Sequence, residues 1–338
     1  MVTILTDETI AVKDTPEIPG LIFRRFRGDS DYPHMATLIA ACKTIDGVER
    51  ATTAEDIARN YRHLENSDPY QDMLFAEIDG KVIGYGRFFW DELLEGIRLY
   101  HIFGFLHPEW RHKGIGTAMW AYGEARARQI AVGHPQDIPK CFQHEPFDSE
   151  KDMVRLLESR GYQPVRYEIY MVRDLSEPFP ETPMPPRLEV RPVRDEDIWP
   201  IFHASNEAFR DHWGARDESE EDHKAFMESP EFRPELWKVG WDGDEIAGVV
   251  HNFIDEKENR EYNRKRGYTE GICVRKPWRK MGLARSLLVQ SMQMFKEMGM
   301  TETALSTDSQ NISGSVRLYE GVGYRKYKQQ TIYRKPMG

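Results

Sequence analysis

The chain repeats itself once, and the repeat fixes its domain organisation. LHPEWRHKGIGTAMW at 106–120 returns as VRKPWRKMGLARSLL at 274–288. Trp110 answers Trp278, Arg111 answers Arg279, Gly114 answers Gly282 and Gly116 answers Ala284. The copies stand about half the chain apart, a period too long for a solenoid unit and suited to a whole domain. Three more segments echo in the same order: LIFRRFR at 21–27 with LEVRPVR at 188–194, IDGKVIGYG at 78–86 with WDGDEIAGVV at 241–250, and VRLLESRGY at 154–162 with VRLYEGVGY at 316–324. A chain of 338 residues can bury two separate cores. The stretch RDLSEPFPETPMPPR at 173–187 carries five prolines, which oppose helix and ladder hydrogen bonds and favour an extended linker. The expected layout is an extension over 1–20, a first domain over 21–172, a linker over 173–187 and a second domain over 188–338.

Within each copy the pattern runs in one order: an opening strand, helical material, an Asp-Gly hairpin, a strand, a glycine loop and a long helix. A closing strand region and a short helix ending in Gly-Tyr complete it. Asp-Gly between apolar alternations is a strong hairpin signal. In the second copy Leu283, Leu287, Leu288, Met294, Phe295 and Met298 recur at helical spacing, and Gly299 suits the helix end. TETALSTD at 301–308 reads as a strand, and Asn311 as the N-cap of a helix reaching Glu320. The corresponding stretch of the first copy, GHPQDIPKCFQHEPFDSE, reads poorly as a strand. Strands joined by both hairpins and helices imply a mixed sheet with helices on its faces.

A strand that feeds a glycine turn and then a helix presents unpaired backbone N–H groups and the positive end of the helix dipole, which together suit an anion. Gly114 and Gly282 admit close approach of a ligand, Gly116 and Ala284 keep the next turn small, and Arg111 and Arg279 are positioned to add charge-assisted bonds. The site therefore suits a diphosphate. Neither GxxxxGK[ST] nor GxGxxG is present. What remains is Arg-x-x-Gly-x-(Gly/Ala).

This pattern, repeated in its strand, hairpin and helix setting, resembles the GNAT superfamily of N-acetyltransferases over 21–172 and again over 188–338. The resemblance implies an α+β fold of two tandem domains, each a mixed, largely antiparallel central sheet flanked by helices. It implies acetyl-CoA as co-substrate, with its pyrophosphate held by Arg111, His112, Lys113, Gly114, Ile115 and Gly116 in the first copy. The second-copy equivalents are Arg279, Lys280, Met281, Gly282, Leu283 and Ala284. Backbone groups of Ile272, Cys273 and Val274 would hold the pantetheine arm, and Asn311 falls on a family position. Tyr319, in NISGSVRLYEGVGY, matches the family's general acid, and Glu270, in YTEGICV, matches a position from which members supply a base. For Glu270 a solvated strand-end carboxylate is an equal reading. For Tyr319 a core aromatic is the other.

The copies differ where the chemistry would lie. Leu157 stands at the Tyr319 position and Ser149 at the Asn311 position. Leucine has no proton to give, so the first domain is expected to be catalytically degenerate and the second to transfer acetyl to a primary amine of a small molecule. A non-catalytic acyl-CoA-binding or sensory protein, or a peptide N-acetyltransferase, is the alternative. RDESEED at 216–222, with His212 and Trp213 beside it, reads as a solvated loop or a cation-attracting acceptor loop. NREYNRKRGY at 259–268 reads as a hairpin loop or a contact for the CoA 3′-phosphate.

A net charge of −10 opposes general nucleic-acid binding. Cys42, Cys141 and Cys273 form no CxxC pair and fit reduced thiols. Cys141, His144 and His134 lack zinc spacing, so no metal is expected. The N-terminus lacks the pattern of a signal peptide, and no apolar run approaches membrane-spanning length. The expectation is a cytoplasmic monomer or homodimer with no membrane partner.

Overall fold

The computed structural model describes residues 9–311 and 314–338. Its elements run β1 (Leu21–Arg24), α1 (Tyr32–Asp46), α2 (Ala54–Tyr61), β2 (Met73–Ile78), β3 (Lys81–Glu92), β4 (Arg98–Leu106), α3 (Ile115–Val132), β5 (Lys140–His144), α4 (Lys151–Ser159) and β6 (Gln163–Asp174). The second copy continues with β7 (Leu188–Arg191), α5 (Ile198–Phe209), α6 (Glu220–Met227), β8 (Lys238–Asp242), β9 (Glu245–Phe253), α7 (Glu256–Glu261), β10 (Arg266–Val274), α8 (Leu283–Glu297), β11 (Glu302–Asp308), α9 (Ser315–Gly321) and β12 (Arg325–Pro336).

The chain forms two compact units: one takes Met1–Val165 with Thr331–Gly338, the other Arg166–Gln330. This division departs from the expected boundaries. The first unit orders its strands β1-β2-β3-β4-β5 and closes with the end of β12, whose Tyr333 pairs with His144. The second orders β7-β8-β9-β10-β11 and closes with β6, where Met171 pairs with Leu305. Each repeat thus donates its last strand to the other unit. The proline-rich stretch is correspondingly no free linker. Phe179 and Met184 pack on core clusters of the second unit, and the Ser286 hydroxyl donates to the Thr182 carbonyl at 2.6 Å.

Both sheets are mixed and largely antiparallel, with one parallel pair each, β4 with β5 and β10 with β11. The hairpins differ in turn geometry. Asp79 and Gly80 both have positive φ, whereas in the second copy only Gly243 of the two-residue turn does. Local signals set the helix ends. Thr53 and Ser219 each form a capping box, with Asp56 and Asp222, at the starts of α2 and α6. Two expectations are corrected. β5 forms inside the stretch that reads poorly as a strand, because pairing on both edges outweighs its weak local propensity. α9 starts at Ser315 with Gly314 as N-cap instead of Asn311. Residues 312 and 313, inside the helix expected from Asn311 to Glu320, lie outside the described residues.

Each sheet buries apolar side chains on both faces. In the first unit Phe88, Ile102, Ile115, Trp120 and Leu157 pack on one side, and Met35, Leu38, Phe75 and Tyr85 on the other. In the second, Leu288, Met292, Phe295 and Tyr324 face Phe202, Trp237, Val239 and Trp241 across the sheet. Burying a side chain of this kind contributes roughly 1.5–3 kcal/mol.

Candidate active site

Both glycine loops share one backbone shape. His112 and Gly114 have φ of 60° and 85°, and Lys280 and Gly282 have 65° and 92°. Alternating left-handed residues turn successive N–H groups inward and form an anion-binding nest. Gly114 and Gly282 are the N-caps of α3 and α8, with no side chain closing either helix end. In the second loop Met281 and Gly282 are exposed while Leu283 anchors the helix in the core. In the first, Ile115 does the same, and the Lys113 ammonium lies 4.4 Å from the Trp110 ring centroid.

Both loop arginines are engaged within the protein. Arg111 donates to both Asp46 oxygens at 2.6 and 2.9 Å, to Asp152 at 3.3 Å and to the Leu106 carbonyl at 3.2 Å. Arg279 donates to Asp211 at 2.9 Å and to the carbonyls of Ala208 and Val274 at 3.0 and 2.9 Å. Each guanidinium ties the loop to the preceding strand and to the helix region before the hairpin. These side chains tether the loop on both sides. Asp46 and Asp211 were the missed partners. Their signal is an acidic residue at the end of the first helical stretch in each copy.

The clearest difference between the units is the strand before the loop. In the first unit β3 and β4 pair without interruption from Gly84↔Leu106 to Glu92↔Arg98. In the second, the register jumps between Glu270↔His251 and Cys273↔Val249, setting Gly271 and Ile272 against Val250 alone. This is a β-bulge, a device that re-aims side chains and interrupts the ladder. Gly271 has φ of 55°, and a Cβ there would sit 2.4 Å from His251 Nδ1. Glycine is required on both counts. Parallel pairing of β10 with β11 ends at Tyr268↔Ala304, so the strands part beyond that point. Of the three proposed backbone contacts, Cys273 and Val274 keep ladder partners in β9, and Ile272 is out of register.

Glu270 lies at the start of the bulge. The Ser306 amide donates to its Oε1 at 2.9 Å and the Ser306 hydroxyl to Oε2 at 3.3 Å. Burial dominates over these bonds and pushes the carboxyl up to about 8, with Glu168 adding a like charge. Ser306 was not visible from the sequence as a partner. Tyr319, on α9, is buried among Leu288, Leu305 and Tyr324, as its core reading requires. Burial raises its phenol, the Glu270 charge raises it further, and the Thr307 side chain works against both. The Tyr324 hydroxyl meets Thr269 Oγ1 at 2.6 Å. Glu270 thus lies where β10 and β11 diverge, near enough for its charge to be felt at Tyr319. Asn311 contributes a turn instead, its amide bonding the Asp308 carbonyl at 3.2 Å.

In the first unit, sheet register sets Phe103, opposite Arg87, at the position that Glu270 holds opposite His251, and the repeat sets Leu157 at that of Tyr319. A cavity of about 350 Å³ opens there, lined by Ile102, Phe103, Leu106, Trp120 and Leu156 and reaching Arg111, Gly114 and Gly116. Burial drives the His144 imidazole down to about 3. His134 bonds the Tyr100 hydroxyl, and among the described residues no metal-holding cluster of three or more side chains occurs.

The remaining candidates are largely engaged. In the acidic run, Asp217 pairs with Arg210 and Asp222 with Arg216, and Ser219 caps α6. Trp213 receives the Arg166 guanidinium on its ring, and His212 packs on Phe209. Residues 259–268 hold the end of α7 and the start of β10, with Arg264 paired to Glu258 and Arg266 to Glu302. No described helix is long and apolar enough to cross a membrane. The three cysteines are free thiols.

Residues 35–138 and 198–324 each match the acetyltransferase (GNAT) family. A mycothiol acetyltransferase of Thermobispora bispora is 26% identical over 239 residues, covering 68% of this chain and 74% of that protein. N-alpha-acetyltransferase 30 of Schizosaccharomyces pombe is 30% identical over 101 residues, covering 30% of this chain and 63% of its own. Among solved structures, a GCN5-related N-acetyltransferase from Sphaerobacter thermophilus superposes with a TM-score of 0.72 at 27% identity, covering 94% of this chain and 96% of that one. A tandem GNAT protein from the clavulanic acid biosynthesis pathway shares the fold, with a TM-score of 0.66 at 14% identity and coverage of 94% and 99%.

Proposed function

This chain belongs to the acetyltransferase (GNAT) family of acetyl-CoA-dependent N-acetyltransferases, and from that premise we propose that its C-terminal unit acetylates the primary amine of a small molecule. The residues present fit the co-substrate. The nest formed by 279–284 and the uncapped start of α8 suit a pyrophosphate, and the parting of β10 from β11 leaves strand backbone for the pantetheine arm. When bound, acetyl-CoA supplies an activated thioester to the incoming amine.

The chain's own residues supply proton handling. Amide formation breaks the C–S bond, releases a proton from the amine nitrogen and leaves a thiolate. In this reading Glu270 accepts that proton, directly or through water, and Tyr319 Oη gives one to the sulfur. A carboxyl raised to about 8 is a far stronger base than an exposed glutamate once ionised. The buried Glu270 beside the bulge, whose charge reaches Tyr319, carries this reading, and the apolar Phe103 and Leu157 support a non-catalytic first unit. Release of CoA thiol with a panel of small primary amines tests it, using Glu270→Gln and Tyr319→Phe as controls. A peptide amine that outcompetes every small amine overturns the small-molecule assignment.

One observation favours a second role. The 350 Å³ cavity adjoins the first unit's nest, at Gly114 and Gly116, and lies apart from Glu270 and Tyr319 in the chain. We assign the first unit the binding of an acyl-CoA without transfer, tested by counting acetyl-CoA sites per chain.

A further inference from the structure

We infer that the first unit carries a binding site for a small carboxylate with a flat apolar body, built around Arg87. The inference does not depend on which unit performs acetyl transfer.

Arg87 lies on β3, its side chain half-buried in a cage of three rings. Its guanidinium carbon is 5.3, 5.0 and 5.1 Å from the ring centroids of Tyr61, Phe89 and Phe103. Its Nε is shielded from solvent and has no hydrogen-bond partner, and the buried Tyr61 hydroxyl likewise has none. The fold treats its other sequestered guanidiniums differently. Arg24 pairs with Asp31 and Glu77, Arg111 with Asp46, and Arg126 with Asp72. Arg173, in the second unit, is satisfied by three carbonyls. Among the described residues no carboxylate or carbonyl is hydrogen-bonded to Arg87.

Ring faces attract a cation but do not take up the directed N–H bonds of its planar fork. An uncompensated charge in such a setting is costly, and burial holds the Arg87 pKa below its usual value. The acid close to it in charge terms is Asp91, which lies 3.2 Å from His101 Nε2. His101 in turn stacks on Phe89 with centroids 4.5 Å apart. A ligand carboxylate would meet the guanidinium in the two-point geometry those groups favour, with the Tyr61 hydroxyl as a further donor. One ring of the cage also borders a cavity, and Arg87 itself is only half-buried. Phe103 lines the 350 Å³ cavity, as does Tyr85 beside it, and a space of that volume admits a small organic molecule. Phe89, Phe103 and Tyr61 offer flat apolar surface to its body.

The probe is benzoate, with benzamide as its uncharged counterpart and inorganic phosphate as a non-planar anion, each titrated into the full-length protein and followed by ligand-observed NMR and calorimetry. The expected result is saturable benzoate binding at one site and at least tenfold weaker binding of both benzamide and phosphate. Arg87→Met should weaken benzoate at least tenfold and Tyr61→Phe several-fold, with unchanged circular dichroism. If Arg87→Met does not fold, Arg87→Lys is read in its place, since it keeps the charge and removes the planar fork. No benzoate binding to the wild type overturns the inference. So does benzamide or phosphate binding as tightly as benzoate, or benzoate affinity undiminished in the Arg87 variant.

Discussion

The Ser306 amide donates to the Glu270 carboxylate across 2.9 Å, linking β10 to β11 where the two strands begin to part. The bond fixes the carboxylate at the mouth of the divergence but does not overcome its burial, and its pKa stays near 8. A group in that condition couples activity and stability to pH in opposite directions.

For activity, the ionised carboxylate is the working form, so kcat should rise with pH and level off above about 8. Glu270→Gln should remove this limb and lower kcat by roughly 10²–10⁴-fold. A pH–rate profile of wild type and variant checks both statements.

For stability, the sign follows from proton counts. Between the ordinary glutamate value of about 4.3 and the folded value of about 8, the native state holds a proton that the unfolded chain has released. Stability from this site is full below the lower value and is lost as pH rises through the upper one. Glu270→Gln should therefore raise the melting temperature at pH 8.5 more than at pH 4.5, as read by differential scanning calorimetry at both pH values.

Tyr319→Phe removes one hydroxyl and retains the ring packed against Leu288 and Tyr324. It should lower kcat by roughly 10²–10⁴-fold while acetyl-CoA affinity stays within about twofold. Unchanged kcat under single-turnover conditions would remove the acid assignment.

Arg279 is anchored by Asp211, which separates bracing from direct contact with phosphate. If the arginine braces the loop, Asp211→Asn slackens it and weakens acetyl-CoA binding several-fold. An arginine that instead reaches the phosphate would be freed by that change, and binding would tighten. Calorimetric titration reads the sign.

Gly271 makes the bulge possible, since a Cβ there collides with His251. Gly271→Ala should lower kcat at least tenfold and cost on the order of 1–3 kcal/mol of stability from the strained φ and the clash. Adding His251→Ala should return part of the stability by relieving the clash, and little of the activity. Denaturation curves and kinetics of the single and double variants separate the two effects.

The repeat, the hairpins, the loop-to-helix junctions and the strand carrying Glu270 were legible because each rests on local chemistry: Asp-Gly turns, glycines at left-handed positions and apolar periodicity. The exchange of final strands was not. The β6 and β12 sequences look alike as strands, and which sheet they close is a tertiary choice with no local mark. β5 was hidden for the same reason, since pairing on both edges makes a strand of a segment with poor propensity. At the site, Glu270 and Tyr319 could be named from family positions, but their surroundings could not. Ser306 reaches Glu270 only through the parallel register of β10 and β11, and the bulge at Gly271 depends on how β9 pairs. Arg111 and Arg279 were identified as loop residues. Their direction, toward Asp46 and Asp211 and away from the nest, is set by helices that precede them by more than 60 residues in the chain.

Acetyl transfer is proposed for the C-terminal unit. The most direct test places a carboxylate in each nest separately and measures CoA release with an accepted amine. Aspartate tolerates left-handed φ better than most residues, and nothing lies within 4 Å of a Cβ at Gly282, whereas one at Gly114 would be 3.4 Å from Pro16. Gly282→Asp should abolish CoA release and Gly114→Asp should leave it within about threefold of wild type. Release that survives Gly282→Asp and disappears in Gly114→Asp would place the chemistry in the first unit and contradict the account.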